Sequence, residues 1–331
     1  MKRIFSVLLL LVILISGSIG LIGCGKKDVI RIAEVTRSVF YAPFYVALNN
    51  GYFRDEGMEI ELTTSGGSDS TMIALISGSA DIGLMGPETN VYSLAGGNLN
   101  TPKIFAQLTK RDGSFLVSRV SEPNFKWTDL KNKYVIGGRR GGSPAMNIQY
   151  VLENNGLVIG TDVTLDLDVP FTSTIAAFES GLGDYVTMFE PSASEFEALG
   201  KGYIVASVGE EAGEVPFTCF SATQSFLSAN SSKIDKFIKC LIRAYNFIIT
   251  SDIDDVIDAL LPSFTSSTRD SLMASVNSYI DIDAWNPTLI MKSSSFERLQ
   301  SVMINAGTLE ERVLFSSAVD NSYAERVLAG L

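Results

Sequence analysis

Histidine is missing from all 331 residues. With it go His-based catalytic triads and most transition-metal sites, because imidazole is the side chain that titrates near neutrality and commonly ligates such metals. Cysteine is scarce, with only Cys24, Cys219 and Cys240. No zinc spacing and no C-x-x-C redox pair occurs among them. Cys219 and Cys240 either form one disulfide or remain as two buried thiols. Basic charge is also short, 26 Lys and Arg against 37 Asp and Glu, for a formal net charge of −11. That balance argues against nucleic acid or anionic lipid as a partner. Asp252, Asp254, Asp255 and Asp258 crowd together but lack the glycine and terminal glutamate of a calcium loop. A helix capped by Ser251, with acids in its first turn, accounts for them. No metal and no cofactor are expected.

Long apolar runs are absent after the N-terminus. The single one, Ile4–Ile15, follows Lys2 and Arg3 and leads through Ser16, Gly17, Ser18 and Gly20 to Leu21-Ile22-Gly23-Cys24. This is the layout of a bacterial lipoprotein signal peptide over residues 1–23, with Cys24 as the lipidated first residue of the mature chain. The rival is an uncleaved anchor, since Ile4–Ile22 is just long enough to cross a bilayer. The placement of the cysteine favours cleavage. About 300 residues remain, enough for two domains, exported and held by lipid alone to the outer face of the cell membrane, or periplasmic in a two-membrane cell.

Tyr134–Leu152, YVIGGRRGGSPAMNIQYVL, organises what is left. A short buried-type strand runs into Gly137-Gly138-Arg139-Arg140-Gly141-Gly142. Ser143 stands as an N-cap with Pro144 at the first helical position, and Met146, Ile148, Val151 and Leu152 follow at helical spacing. Glycines allow close approach of a bound group, and the helix N-terminus turns N–H donors toward the same spot. It is not a nucleotide motif. Ser143-Pro144 replace the Lys-Ser/Thr of a P-loop, and Arg139 stands where G-x-G-x-x-G needs glycine.

Around it, strands and helices alternate. Strands are predicted at Val29–Val35, Met58–Leu62, Ala80–Met85 and Lys103–Leu108. Helices are predicted from Ala42-Pro43, over Thr71–Ser77 and from Gly86-Pro87-Glu88. The pattern restarts at Phe115, with strands at Tyr134–Ile136, Val163–Leu167, Tyr185–Phe189 and Tyr203–Val208 and a helix over Thr172–Ser180. From Phe226 the chain is nearly all amphipathic helix, with Ile234, Phe237, Ile238, Leu241, Ile242 and Tyr245 on one face. The class is α/β with mostly parallel sheets, where ligands sit at the carboxyl ends of strands. Ser38–Tyr41, Ser65–Asp69, Gly86–Glu88 and Gln107–Asp112 are the loops at those ends.

These segments resemble one family in order. Ala42–Leu62, Gly66–Glu88, the Gly137–Pro144 loop, Met188–Thr218 and Ser295–Leu309 are similar to the solute-binding proteins of nitrate/sulfonate/taurine and thiamine-pyrimidine ABC importers. The resemblance spans essentially the whole mature chain. It implies a periplasmic-binding-protein-like fold of type II, two α/β lobes with a ligand cleft between them and two crossing hinge segments. Lobe I would comprise 24–114 and 219–331 and lobe II 115–218, with crossings near Phe115–Val117 and Pro216–Cys219. It further implies a monomeric binding protein, not an enzyme, whose partners are a small-molecule ligand, an ABC permease and that permease's cytoplasmic ATPase. The rivals are an aminopyrimidine carrier, a sensory lipoprotein without transport, and a pyrimidine-forming enzyme on the same fold. Pyrimidine-binding members usually carry a histidine in the first helix region, and Phe40–Phe44 has none. A sulfonate-, taurine- or nitrate-type anion is therefore favoured.

Within such a cleft the expected ligand contacts are Phe40, Tyr41, Ser65, Ser68, Glu88 and Gln107 from the first lobe. From the second they are Arg139, Gly142, Ser143, Thr172, Ser173 and Glu190. Arg139 offers a planar fork to an anion, or else belongs with Arg140 to a solvated turn. Glu190 either caps a helix or meets a cationic ligand. Only one of the adjacent Phe40 and Tyr41 can readily face a cleft; the other belongs to the core.

Overall fold

The computed structural model describes residues 28–331. The leader and Cys24 lie outside them. The apolar runs of the first third form β1 (Asp28–Glu34), β2 (Met58–Thr64), β3 (Ile82–Met85) and β4 (Lys103–Thr109). Those of the middle form β5 (Ser114–Ser118), β6 (Tyr134–Ile136), β7 (Thr164–Asp166), β8 (Tyr185–Phe189) and β9 (Tyr203–Ser207). β10 (Thr218–Ala222) follows.

They assemble into two five-stranded sheets, β2-β1-β3-β10-β4 and β7-β6-β8-β5-β9. β10 is antiparallel to both its neighbours in the first sheet, as β5 is in the second. The pairs β1–β2, β1–β3, β6–β7 and β6–β8 are parallel. So the antiparallel strand in each sheet is the one the chain enters directly after changing sheets. Two lobes, each a mixed sheet wrapped in helices, result.

The first change of sheet is made by residues 110–113, upstream of the expected Phe115–Val117. Those three are buried inside β5, where they pair with Met188, Thr187 and Val186. An apolar run completes a ladder, and the polar Lys110-Arg111-Asp112-Gly113 is left to cross. The second change is made by residues 213–217, so Thr218 and Cys219 already belong to β10.

The C-terminal third returns to the first sheet as helices. The longest, Ser231–Thr250, buries Ile234, Phe237, Ile238, Leu241 and Ile242. Phe237 stacks on Phe53 at 5.0 Å and meets Phe220 edge-on at 5.2 Å. Residues 284–289 lie along the free edge of β4, with Gln107 N–H bonded to Leu289 O and Lys110 N–H to Ala284 O, both at 2.8 Å. That covering satisfies an edge otherwise open to pairing with another chain. Cys219 and Cys240 are free and buried. Burial pushes the Cys240 thiol up to about 12.

Asp252 takes the N-cap position that the sequence reading gave to Ser251. Asp254 and Asp258 bridge to Arg269. No described helix is long and apolar enough to cross a membrane.

Candidate ligand-binding cleft

β2 and β3 each lead into a helix that reaches the glycine loop after β6, through Asp69–Arg139 and Tyr92–Gly141. β3 ends at Met85, and Gly86-Pro87 turn the chain into the Glu88–Ala95 helix. Gly86 leaves space there for the Glu88 side chain. A Cβ on it would lie 2.0 Å from Glu88 Oε2, so the carboxyl group folds back directly over the glycine. The Gly86 N–H donates to Ser68 Oγ at 3.1 Å. Opposite stands Ser143, the first residue of the Ser143–Asn154 helix. Gly142 holds the N-cap position, one residue earlier than the sequence reading placed it. Gly138 and Gly141 turn the loop with φ of +93° and +78°, a conformation other residues rarely adopt.

Glu88 is 5% exposed and Ser143 is 4% exposed. Burial raises the pKa of Glu88, partly opposed by the hydroxyls of Ser143 and Ser68, its own backbone N–H and the charge of Arg139. Glu88 Oε2 and Ser143 Oγ nonetheless have no partner in hydrogen-bonding geometry.

The first crossing forms the floor of this seam. Asp112 is fully buried, and its carboxylate accepts from Ser114 N–H at 2.7 Å and from Asn147 Nδ2 at 2.9 Å. Burial lifts its pKa to about 6 against the pull of those bonds. Among the described residues, the buried side-chain polar atoms without a hydrogen-bond partner are Glu88 Oε2, Arg111 Nε, Ser114 Oγ, Ser143 Oγ and Asn147 Oδ1. One comes from the first lobe, one from the crossing and three from the second lobe. Native proteins rarely leave such groups unsatisfied, and each one asks for a reason.

Direct bonds hold the lobes together around them. Tyr92 Oη donates to Gly141 O at 3.0 Å, and Ser38 Oγ to Glu190 O at 3.4 Å. Tyr279 Oη donates to Gly113 O at 3.3 Å and accepts from Glu190 N–H at 3.1 Å. An exposed ion pair, Arg139–Asp69 at 3.6 Å, closes the rim.

The other expected contacts fall into three groups. Phe40 is 1% exposed and packs on Phe189, Phe217 and Tyr279 with ring centroids 5.0–6.0 Å away. Tyr41 is buried beside it, and burial and the nearby Glu34 raise its pKa. Ser65, Gln107 and Glu190 make local bonds. Ser65 Oγ donates to Glu34 O at 2.9 Å and Gln107 Nε2 to Thr109 O at 3.1 Å. Glu190, 2% exposed, accepts from Ser194 N–H at 2.9 Å and Ser194 Oγ at 2.7 Å, which caps the Ser192–Ala198 helix. Thr172 and Ser173 are exposed, in the turn before the Thr174–Glu179 helix. Arg140 is exposed and lies 3.8 Å from Asp168.

Of the seam residues, Arg111 and Asp112 lie in the Gln107–Asp112 loop marked by the sequence but were not among the expected contacts, and Ser114 and Asn147 were passed over. Asn147 had a signal, since it sits four residues after Ser143 and so on the same helical face.

A family model described as NMT1/THI5 like matches residues 39–252. YtlA of Bacillus subtilis strain 168, whose name gives it as a candidate binding protein, is 39% identical over 298 residues, 90% of this chain and 89% of its own. The alkanesulfonate-binding protein SsuA of Xanthomonas axonopodis pv. citri, solved with MOPS, superposes with a TM-score of 0.71. It is 17% identical, over 90% of this chain and 99% of its own. The periplasmic nitrate-binding protein NrtA of Synechocystis PCC 6803 gives a TM-score of 0.72. It is 14% identical, over 92% of this chain and 89% of its own. At those identities the two solved structures are likenesses of fold.

Proposed function

Because the chain belongs to the NMT1/THI5-like family, we propose that it is the extracytoplasmic solute-binding protein of an ABC importer. It would be anchored through lipid on Cys24 and would act as a monomer rather than as an enzyme. The observation that carries this reading is the set of unpartnered polar atoms buried along the seam. Glu88 of the first lobe, Ser143 of the second and the Asp112–Asn147 bond at the crossing lie together there, which is what a small polar ligand needs in order to be enclosed. The lobes would be 24–114 with 219–331 and 115–218; strand membership moves Ser114 to the second lobe and Thr218 to the first, and makes residues 110–113 and 213–217 the hinges. A solute that touches both lobes binds the closed form better than the open one and so shifts the population toward closure. The closed form is then offered to a membrane permease driven by a cytoplasmic ATPase.

An enzyme on this fold would have to draw its acid–base group from carboxylates such as Glu88 or Glu190, whose pKa values burial raises. The chain has no histidine, and burial raises the thiol of Cys219 well above its usual range. The charges at the seam also bear on the solute. Arg139, on which an anion would lean, has a side chain 58% exposed and paired with Asp69. Glu88 and Asp112, buried at the seam itself, are both acidic.

The test uses the mature chain from Gly25 onward, with thermal unfolding and small-angle scattering across sulfonates, taurine, nitrate, carboxylates and aminopyrimidines. A solute at about 1,000 times its dissociation constant adds about 4 kcal/mol, a shift of several degrees. Stabilisation accompanied by a smaller radius of gyration supports the reading. Stabilisation without compaction would remove hinge closure from it. Product formed from any of these solutes would restore the enzyme.

A further inference from the structure

We propose that the end of the first lobe at which β1 begins rests directly on the phospholipid bilayer, so that lipid and protein surface together hold the molecule. This goes beyond the solute-binding reading above and takes from it only the anchor at Cys24.

The anchor leaves little slack. Gly25, Lys26 and Lys27 alone separate Cys24 from Asp28, the first residue of β1. The four steps from Cα to Cα span at most roughly 14 Å, whatever their conformation. A lobe of about 200 residues is about 40 Å across. The start of β1 is therefore kept near the headgroups, and the lobe cannot turn its opposite end to them. That opposite end is the cleft. β3 runs parallel to β1, and its far end leads through Gly86 to Glu88.

The surface around the start of β1 suits such a contact. Asp28 pairs with Met58, which lines a hollow of about 290 Å³ with Asn230, Lys233 and Lys236. Asp81 N–H donates to Arg31 O at 2.8 Å, and Asp81 lines a second hollow, of about 500 Å³, with Ile76 and Phe226. Ala229 and Asn230 belong to both, so the two form one continuous surface. Ile73 and Ile76 stand three apart on one helical face and are 65% and 55% exposed. Val29, on the same face of β1 as Arg31, is exposed too. Apolar side chains grouped in this way mark a protein or a membrane contact. The tether decides between them, because the bilayer is the surface it holds within reach. Charge agrees. The whole chain is acidic, but the acids lining the hollows each have a base against them, Glu56 with Lys236 at 3.5 Å and Asp81 with Arg31 at 2.6 Å. Lys26 and Lys27 follow the lipidated residue directly, where ammonium groups suit headgroup phosphates. The isoleucines can then enter the interfacial layer while the lysines stay at its polar edge.

The test uses the full chain, processed in a bacterial membrane, purified in detergent and reconstituted into phosphatidylcholine vesicles. Ser77→Cys, beside Ile76, and Leu199→Cys, on the second lobe, each carry an environment-sensitive dye. Cys219 and Cys240 are buried and do not compete for it. The dye at position 77 should emit further to the blue, and a headgroup-nitroxide lipid should quench it several-fold more than the dye at 199. Adding Ile73→Asp and Ile76→Asp should shrink that difference several-fold. Both side chains are exposed, so the unfolding midpoint should stay in place, and Ile73→Ser with Ile76→Ser repeats the reading with a milder change. Equal quenching at 77 and 199 overturns the proposal. So does a difference that the aspartates leave untouched, since the tether alone would then place the lobe. A dye at 77 shielded from water yet not quenched by the nitroxide would give the patch to a second copy of the chain, which also overturns it. An intact mass without lipid on Cys24 removes the anchor and this contact with it. Every reading is taken without solute, so the solute-binding reading stands or falls separately, on the stabilisation and compaction described above.

Discussion

The hydroxyl of Tyr92, on a helix of the first lobe, donates to the carbonyl of Gly141 in the glycine loop of the second at 3.0 Å. Under the hinge closure proposed above, that bond exists only while the cleft is shut. Removing the hydroxyl keeps the half-buried ring and takes away one neutral hydrogen bond, worth about 0.5–1.5 kcal/mol net. Tyr92→Phe should therefore lower the ratio of closed to open protein by about 2- to 10-fold. Small-angle scattering of the unliganded variant should show a larger radius of gyration than the wild type. An unchanged radius would mean that closure is held by the Phe40–Phe189 contact and by Tyr279 instead.

Asp112 gives the protein a pH dependence of definite sign. Its folded pKa of about 6 stands above the ordinary 3.8, so the fold favours the protonated form. The stability from this group is fully present below pH 3.8, is lost as the pH rises through 6, and stays absent above that. Asp112→Asn should be the more stable protein at pH 8, by up to about 3 kcal/mol, and should converge with the wild type near pH 4. The asparagine still accepts from Ser114 N–H. Its amide nitrogen can donate to Asn147 Oδ1, an atom without a partner in the wild type, once that side chain turns. Urea midpoints at pH 4, 6 and 8 measure this. A variant less stable at pH 8 would show that the carboxylate's two hydrogen bonds outweigh its burial.

Phe40 separates a binding role from a core role. It is 1% exposed among Phe189, Phe217 and Tyr279, and its carbonyl accepts from Trp285 Nε1 at 2.9 Å. Phe40→Ala should lose about 3–5 kcal/mol of stability in guanidinium titrations, as large aromatic truncations in closed cores do. A loss under about 1 kcal/mol with normal unfolding would return Phe40 to the cleft wall.

The sequence was legible where structure follows from local period, and less so where it follows from partners far along the chain. Met58–Leu62 and Tyr185–Phe189 read as strands because their apolar content alone suffices. The crossing at 110–113 was misplaced because Phe115, Leu116 and Val117 earn their burial from β8 and β9, which lie far downstream. Ser65 and Gln107 illustrate the limit at the site. Small and polar residues at strand ends mark a cleft, but their side chains can turn to nearby backbone and be used up there. Glu88 was visible as an acid at a helix start. That it folds back over Gly86 depends on a two-residue spacing whose meaning only the backbone path reveals.

Gly209 fixes how closely the second lobe can approach the crossing. It belongs to the short Val208–Ala212 helix, and an ideal Cβ on it would lie 2.0 Å from Asp112 O and 3.1 Å from Asp112 N. Both obstacles are backbone atoms, which cannot rotate aside as a side-chain tip does. Gly209→Ala gains about 1 kcal/mol of helix propensity and must push the helix off residues 110–113 to do so. Overpacking of that kind typically costs about 1–3 kcal/mol. Here it also pulls on the carboxylate–Asn147 bond, because Asp112 moves as one unit with its backbone. The net should be a destabilised protein, by up to about 2 kcal/mol in urea, with a wider spread of lobe separations in scattering. A variant more stable than the wild type would show that the crossing yields to the helix, and that the hinge is softer than its buried contacts imply.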